Sequence, residues 1–353
     1  MLEYLRSWHE HGSPWDLWIE QYEVGRQRFA ELIGAEPDEV ALVASASAGV
    51  NALASGLSFQ QRNKVVLGEF EFPTMGHIWL AQRPRGANVN FVEALNDRLR
   101  VEAYEALVDH NTLIVPLTHM CFMNGFRSQV ADITKLAHDR GALVLLDDYQ
   151  DSGTRPIDVK AMQLDAYVSG TLKYLLGPPG LAFMYVRRSI AESLIPTVTG
   201  WFGQKNTFAF DVKLLEPAPG TRRFESGTPP IPTIYGALAG IKLLRALGLQ
   251  NVADQIRVLT KALITGALEL GIQIKTPLDS VGPLVVLQSK DAEGLVRLFA
   301  SKSVVCSSRH DGLRISFHAY NSLDDVRFVL QLLAENLEML VTSPAAISTA
   351  GKP

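Results

Sequence analysis

The chain has 353 residues, of which 47% are hydrophobic and 20% are charged, a composition typical of a soluble globular protein. Its formal net charge of −4 and the absence of long blocks of one sign give no indication of binding to nucleic acid or to an anionic membrane. Two cysteines are too few for a disulfide framework or a thiolate metal cage, and no apolar run has the length of a membrane span. The charged N-terminus is unlike a signal peptide, so we expect a cytoplasmic protein. We also expect no metal site.

Short apolar runs alternate with helical patterns through the first two thirds of the chain. The predicted strands are Glu39–Val43, Lys64–Glu69, Val89–Val92, Thr112–Leu117, Leu143–Leu146, Ala166–Ser169 and Leu181–Val186. The predicted helices are Trp18–Ile33, Ala48–Leu57, Val101–Val108, Ser128–Arg140 and Ile190–Leu194. This alternation indicates an α/β domain with a mostly parallel sheet, in which ligands bind beyond the carboxyl ends of the strands.

The pattern changes after about Pro229. The predicted elements are then a long helical stretch Ile234–Gly271, a strand Leu284–Gln288, a helix Ala292–Ser301, a strand pair Ser303–Ser307 and Leu313–Phe317, and a helix Leu323–Leu340. We predict a large domain over residues 15–230 and a smaller α/β domain over residues 231–341, with residues 1–14 as a candidate addition to the smaller one. Residues 342–353, rich in Ser, Ala, Thr and Pro, are predicted to be a disordered tail.

The strongest chemical signal is an aspartate and a lysine that each follow a predicted strand. Leu143–Leu146 ends at Asp147, with Gln150 in the following turn, and Asp165–Ser169 leads to Lys173. Chemistry with pyridoxal 5′-phosphate (PLP) needs both residue types. A lysine amine forms the Schiff base and moves protons, and a carboxylate keeps the pyridine nitrogen protonated.

Each of these residues also has an ordinary structural explanation. An aspartate at a strand end commonly caps a helix or shapes a turn, and a lysine before Gly177-Pro178-Pro179-Gly180 can be a solvated side chain. The combination of Asp147, Gln150 and Lys173 in matching strand contexts favours the chemical interpretation.

These segments resemble the class V aminotransferases, PLP enzymes of fold type I that include cysteine desulfurases, kynureninases, isopenicillin N epimerase and several lyases. The family's Asp-x-x-Gln segment matches Asp147 to Gln150, followed by Gly153 and Pro156-Ile157-Asp158-Val159, and its lysine segment matches residues 171–177. The resemblance extends from about residue 20 to about residue 340. It implies a PLP cofactor, a large domain with a mostly parallel central sheet sandwiched by helices, and a smaller C-terminal α/β domain.

The resemblance implies how residues would surround the cofactor. Lys173 would form the Schiff base and act as general acid and base, Asp147 would pair with the pyridinium, and Gln150 would hydrogen-bond the phenolic oxygen. Phe72 would stack on the ring, with a core phenylalanine as the alternative. The other predicted cofactor contacts are Ser47, Ala48, Thr171, Gly227 and Thr228.

Two of these segments would bind the cofactor phosphate. Ser45 to Asn51 opens a helix after an apolar strand, and small residues there expose backbone amides to an anion, although an ordinary serine N-cap is the alternative. Arg223 to Pro230 resembles the family's Gly-Thr-Pro loop, which in relatives reaches the phosphate of the neighbouring subunit. We therefore expect a homodimer whose active sites are shared between subunits.

The resemblance also implies residues that would contact the substrate, and most of these have an alternative structural role. Arg314 would clamp a substrate carboxylate through two parallel hydrogen bonds, or else form a surface salt bridge. His119 and Asn124 follow the strand Thr112–Leu117 and are expected to face the cleft, with a capped turn as the alternative for Asn124. Trp201 lies in a segment that resembles a kynureninase loop and could equally be a packed core residue.

We expect aminotransferase or C–X lyase chemistry on a small α-amino-acid-like substrate. A rival is a cysteine desulfurase or selenocysteine lyase-type enzyme with Cys306 as its nucleophile, but Val304 to Ser307 is predicted as a strand, where a cysteine is usually a small packed hydrophobe. Another rival is a non-catalytic regulatory protein of the PLP fold, which has no need of Asp147, Gln150, Lys173 and Arg314 together. An NAD enzyme is disfavoured because no Gly-x-Gly-x-x-Gly follows the first strand.

Overall fold

The computed structural model describes residues 1–343, which form two compact units. The first unit contains Met1–Leu95, Leu99–Met120 and Ser128–Asn251, and the second contains Asn96–Arg98, Cys121–Arg127 and the chain from Val252 onward. Residues 1–14 and 231–251 fall in the first unit, and the predicted domain limits stay predictions. Of the helices described, none combines the length and the apolar character needed to cross a membrane.

Seven strands of the first unit form one sheet. They are β1 (Val40–Val43), β2 (Lys64–Gly68), β3 (Asn88–Val92), β4 (Thr112–Thr118), β5 (Leu143–Asp147), β6 (Ala166–Gly170) and β7 (Ala182–Val186). Their order in the sheet is β1-β7-β6-β5-β4-β2-β3. Strands β3, β2, β4, β5 and β6 are parallel, whereas β7 is antiparallel both to β6 and to β1. The predicted mostly parallel sheet is confirmed.

Helices alternate with these strands along the chain. They are α1 (Leu2–His11), α2 (Trp15–Ile33), α3 (Ala46–Gly56), α4 (Pro73–Leu80), α5 (Val101–Glu105), α6 (Val130–Asp139), α7 (Arg188–Ser193) and α8 (Ile231–Leu247). The strands between them are apolar on both faces: Val144, Leu145 and Leu146 of β5 are 0% exposed. Burying each such side chain contributes about 1.5–3 kcal/mol, so the strand that ends at Asp147 is firmly held.

The second unit is built around a small antiparallel sheet. Its strands are β8 (Leu284–Gln288), β9 (Ser307–Arg309) and β10 (Gly312–Ser316), with β10 in the centre. Its helices are α10 (Ala292–Ser301), α11 (Leu323–Ala334) and most of α9 (Leu249–Glu269). Leu287, Leu295, Phe299 and Leu313 contribute to a separate apolar core.

Four expectations for the C-terminal part are wrong in detail. The last helix, predicted to reach Leu340, ends at Ala334. The helical stretch Ile234–Gly271 is interrupted at Gly248, where a φ of 79° ends α8. The predicted strand Ser303–Ser307 is absent, because Ser303 has a φ of 62° and β9 begins only at Ser307. The predicted disordered tail begins too early: the backbone N–H of Ser343 donates a hydrogen bond to the Gly271 carbonyl at 2.9 Å. The rest of that tail, residues 344–353, lies outside the described residues.

Candidate active site

The chemically active side chains lie at one edge of the large sheet, where its parallel strands have their carboxyl ends. Because β2, β4, β5 and β6 are parallel, the loops that follow them leave the sheet at the same edge. The side chains delivered there are Glu71 and Phe72 after β2, His119 after β4, Asp147, Tyr149 and Gln150 from β5, and Lys173 after β6. Strand β1 has the same direction as β6, so α3, which follows it, begins at this edge too.

Asp147, the last residue of β5, is 8% exposed. Its Oδ1 accepts a hydrogen bond from the Tyr149 backbone N–H at 3.0 Å, whereas its Oδ2 accepts none from residues 1–343. The pKa of Asp147 is raised to about 6. Burial is the largest cause and the charge of Asp148 adds to it, while the Tyr149 backbone hydrogen bond and the charge of Lys173 act in the opposite direction. A buried carboxyl with an unmet acceptor is suited to a cationic hydrogen-bond donor.

The Lys173 amine lies against aromatic faces. Its Nζ is 4.7 Å from the centre of the Tyr149 ring and 5.9 Å from that of Phe72. Phe72, which directly precedes α4, is 47% exposed, so its ring is available to a flat ligand. The amine is thus held near Asp147 in a partly apolar setting, which is the setting that a reactive lysine needs.

Thr171 shapes the turn that carries Lys173. Its hydroxyl donates to the Pro178 carbonyl at 2.6 Å and lies 3.2 Å from the Leu181 carbonyl, and its own carbonyl accepts from the Gly177 N–H. The hydroxyl of Thr171 is therefore engaged in the turn, and its expected cofactor contact stays a prediction.

The N-termini of two helices meet beside this site. Ser47, in the first turn of α3, has its Oγ 3.1 Å from the Oγ1 of Thr74, in the first turn of α4. The Ser45 side chain caps α3 by accepting from the Ala48 N–H at 3.1 Å. The Ala48 amide is therefore already bonded, and the first amides of α3, from Ala46 and Ser47, are better placed to receive an anion.

Gln150 is buried in the turn after β5. Its side-chain amide makes no hydrogen bond to the part of the chain that the structure describes. An amide that is 8% exposed and lacks a protein partner is a ready partner for a bound ligand.

Comparison with known proteins identifies the family. The family model described as "Aminotransferase class-V" matches residues 7–277. The chain is 32% identical over 333 residues to the uncharacterized aminotransferase YcbU of Bacillus subtilis, covering 94% of this chain and 88% of the relative. It is 28% identical over 348 residues to a probable cysteine desulfurase of Pyrococcus abyssi, covering 92% and 85%. The apo structure of a cysteine desulfurase from Thermococcus onnurineus superimposes with a TM-score of 0.84 at 24% identity, covering 92% and 85%.

The chain belongs to the class-V aminotransferase family. The chain is therefore a PLP-dependent enzyme, a transferase or a lyase. The resemblance, the fold type and the cofactor predicted from the sequence are confirmed.

The residues at the sheet edge fit PLP as class-V enzymes use it. Asp147 offers an unmet acceptor to a ring N–H, Gln150 offers an unpartnered amide, and Phe72 offers an exposed ring face. Lys173 offers an amine, and the start of α3 offers amides to a phosphate.

Glu71 is a site residue that the sequence analysis did not single out. Its Oε1 accepts from the Thr118 N–H at 2.7 Å, and its buried Oε2 has no hydrogen-bond partner among the described residues. Burial, and then the charge of Asp147, raise the pKa of Glu71 well above its usual range. Ionisation of Asp147 therefore disfavours ionisation of Glu71, and the reverse also holds. Glu71 directly precedes Phe72, but no sequence pattern indicates that its side chain turns inward.

His119 is not the cleft-facing residue that we expected. It is 1% exposed, with Nδ1 2.5 Å from Asp148 Oδ1 and Nε2 2.9 Å from Arg155 Nη2. Because an arginine can only donate, Nε2 accepts and Nδ1 carries the proton donated to Asp148. Asp151 completes a three-residue group whose possible ligand atoms lie within 4.8 Å of one another, and Arg155 supplies the positive charge there.

Asn124 and Trp201 both contact neighbouring residues of their own units. In the second unit, Asn124 Oδ1 accepts from the Phe126 N–H at 2.9 Å and its Nδ2 donates to the Asp97 carbonyl at 2.9 Å, so the side chain caps a turn. In the first unit, Trp201 packs edge-on against Phe202 at 4.6 Å between ring centres. It also contacts Trp15. The expected substrate contacts of both residues stay predictions.

The Gly-Thr-Pro loop is exposed. Ser226, Gly227 and Thr228 are all exposed, and a Cβ added at Gly227 would meet no atom within 4 Å. The residue before the loop, Glu225, is buried and forms an ion pair with Arg26 of α2 at 2.7 Å. The loop is thus anchored at its base while Gly227 and Thr228 are open to solvent.

Arg314 is held by its own unit. It lies in the central strand β10, where Nε donates to the Ser307 Oγ at 3.0 Å and Nη1 donates to the Phe122 carbonyl at 2.8 Å. These bonds fix the plane of the guanidinium, which is what bidentate recognition of a carboxylate requires.

Cys306 does not lie in a strand. It precedes β9 in an irregular segment beside Val305, which is 97% exposed. Burial raises the pKa of the Cys306 thiol to about 11. Cys306 thus lies in a loop, which suits a nucleophile that must move. Its thiol, however, is in the unreactive protonated form at neutral pH.

Proposed function

We propose that Lys173 attaches PLP and moves the Cα proton of a small α-amino acid, the step shared by transamination and C–X lyase reactions. The observation that carries the proposal is the Lys173 amine held over the Tyr149 ring beside Asp147, at the carboxyl edge of the sheet. An amine so placed can both take a proton from the substrate carbon and return it.

The other residues are proposed to bind and orient. PLP, when bound, supplies a ring that withdraws electrons from the substrate carbon. Asp147 would hold the proton on the ring nitrogen and Gln150 would bond the phenolic oxygen. Phe72 would cover one ring face, and Ser47 with the first amides of α3 would bind the phosphate. Arg314 would bind the substrate carboxylate through a bidentate pair.

The proposal is tested with proton exchange and product analysis. The purified enzyme is incubated in D₂O with individual amino acids, with and without a 2-oxo acid acceptor. We expect deuterium at the substrate Cα, which Lys173→Ala abolishes, and either an exchanged amino group or an eliminated side chain as the product. A substrate that is turned over equally well by Lys173→Ala would contradict the proposal.

A second candidate is cysteine desulfurase chemistry, because Cys306 lies in a loop rather than a strand. The probable cysteine desulfurase of Pyrococcus abyssi, which is 28% identical, supports the same candidate. The raised pKa of the thiol opposes it. If the enzyme is not a desulfurase, Cys306→Ser keeps its activity. If that variant alone loses sulfide release from cysteine, while still exchanging the Cα proton, the desulfurase assignment replaces the first proposal.

The enzyme is further proposed to be a cytoplasmic homodimer in which Thr228 reaches the partner's phosphate site. The exposure of Gly227 and Thr228 supports this arrangement. One lost charge-assisted hydrogen bond costs about 1–3 kcal/mol, so Thr228→Val is expected to weaken PLP binding about tenfold or somewhat more. In heterodimers of Lys173→Ala and Thr228→Val chains, one site would carry both changes and the other neither. Activity at low PLP above that of both parents supports a shared site, and no gain in proven heterodimers contradicts it.

A further inference from the structure

Tyr149 contacts both of the groups on which the proposed chemistry depends. Its backbone N–H donates to Asp147 Oδ1 at 3.0 Å, and its ring centre is 4.7 Å from Lys173 Nζ. The second aromatic face near this amine, that of Phe72, is more distant, at 5.9 Å. One residue therefore positions the carboxyl with its backbone and the amine with its side chain.

The position of the Tyr149 ring depends on a space left by Gly170. A Cβ added at Gly170 would overlap two ring carbons and the hydroxyl oxygen of Tyr149. Gly170 lies in β6 and is not among the residues with positive φ, so its backbone conformation does not require glycine. Space for the ring is thus the reason for glycine at this position.

The ring face attracts the ammonium form of lysine. Burial, and then the charge of Asp147, raise the pKa of the Tyr149 hydroxyl, so the ring is neutral near neutral pH. An ammonium group within about 6 Å of such a ring centre is attracted by the ring quadrupole. The side chain of Tyr149 thus favours a proton on Nζ, whereas the partly apolar surroundings of the amine disfavour it.

We propose that Tyr149, in the space that Gly170 provides, is a positioning residue that holds the Lys173 amine over its ring face and stabilises its protonated form. This inference rests on the proposed role of Lys173. A lysine held in this way keeps the proton that it has taken from the substrate carbon at a fixed place, from which it can be returned.

The test measures the amine directly in the full chain after removal of PLP. Reductive methylation with formaldehyde and cyanoborohydride is followed over pH, and the peptide containing Lys173 is quantified by mass spectrometry. Because only the neutral amine reacts, the midpoint of the profile reports the pKa of Lys173. The variants are Tyr149→Phe, which keeps the ring face, and Tyr149→Leu, which removes it, with Phe72→Leu as the matched control at the more distant ring.

We expect Tyr149→Leu to lower the midpoint by about 0.5–1 pH unit, Phe72→Leu to lower it less, and Tyr149→Phe to restore the wild-type value. Gly170→Ala, which displaces the ring without removing it, is expected to behave like Tyr149→Leu. Thermal melting shows whether each variant is folded. If Tyr149→Leu is unfolded, the methylation profile of Gly170→Ala decides the outcome.

Two results would overturn the inference: equal midpoints for wild type and Tyr149→Leu, or a Tyr149→Phe profile that matches Tyr149→Leu. The latter would assign the effect to the hydroxyl. Failure of the proposed function is recognised separately, since it appears as the absence of a borohydride-fixed cofactor on Lys173 in the wild-type enzyme.

Discussion

Asp147 and Asp148 are neighbours in the sequence, both are buried, and their surroundings are opposite. Asp148 is fully bonded, with Oδ1 2.5 Å from His119 Nδ1 and Oδ2 accepting from the Tyr167 hydroxyl at 2.8 Å. Asp147 has one backbone donor, and its Oδ2 accepts nothing from residues 1–343. Burial alone therefore does not distinguish a binding carboxyl from a structural one. The hydrogen bonding does, because a carboxyl oxygen that accepts no hydrogen bond from the protein is open to a bound ligand.

The largest expected difference between the two aspartates is in turnover. Asp147→Asn removes the charge that would keep the cofactor ring protonated, and we expect kcat to fall about 10²–10³-fold, the range for losing one electrostatic contact in the transition state. Asp148→Asn, the matched control, keeps an acceptor for His119 and is expected to lose much less. Steady-state kinetics at saturating PLP measure both. A larger loss in Asp148→Asn would reverse the assignment of the two residues.

The second difference is in the pH dependence of stability without cofactor. Since burial raises the pKa of Asp147 to about 6, from an ordinary value of about 3.9, the folded chain binds more protons than the unfolded chain between these values. The free energy of unfolding therefore falls as pH rises through this window, by about 3 kcal/mol from this residue.

The pH dependence predicts that one substitution at Asp147 has opposite effects on stability and on activity. The cofactor-free Asp147→Asn variant gains stability relative to wild type as pH rises from 4 to 8, although it is the less active enzyme. Urea unfolding at both pH values measures the change. A difference that is independent of pH would mean that Asp147 is not desolvated as described.

The smallest expected effect concerns Asp148. Asp148→Ala leaves the His119 and Tyr167 donors without their acceptor, and we expect a loss of about 1–3 kcal/mol in the free energy of unfolding. Asp147→Ala removes only one backbone hydrogen bond and, near neutral pH, a costly buried charge, so it is the control in the same urea titration. Equal losses in the two variants would remove the distinction between a bonded and an unmet carboxyl.

The sequence predicts the parts of this molecule that depend on local pattern. The seven strands of the large sheet are apolar and bounded by polar turns, so their positions were predicted to within about two residues. The sequence singles out Asp147 and Lys173 because each follows such a strand, and parallel strands present their carboxyl ends at one edge of the sheet.

The features that the sequence does not predict depend on contacts between segments that are distant in the chain. The pairing of His119 with Asp148 follows from the β4–β5 register, in which Thr118 is opposite Asp147, and the sequence does not give that register. The Tyr149 ring is placed by the space at Gly170, which no pattern indicates. At Cys306, the β-branched neighbours predicted a strand, but the strand begins one residue later.

Borohydride reduction tests most directly whether Lys173 holds the cofactor. The enzyme is saturated with PLP, reduced, digested and analysed by mass spectrometry, with Lys173→Ala treated in parallel. We predict a single pyridoxyl-phosphate adduct on the peptide containing Lys173 and none in the variant. An adduct on another lysine, or a wild-type protein that PLP does not label, would contradict the account.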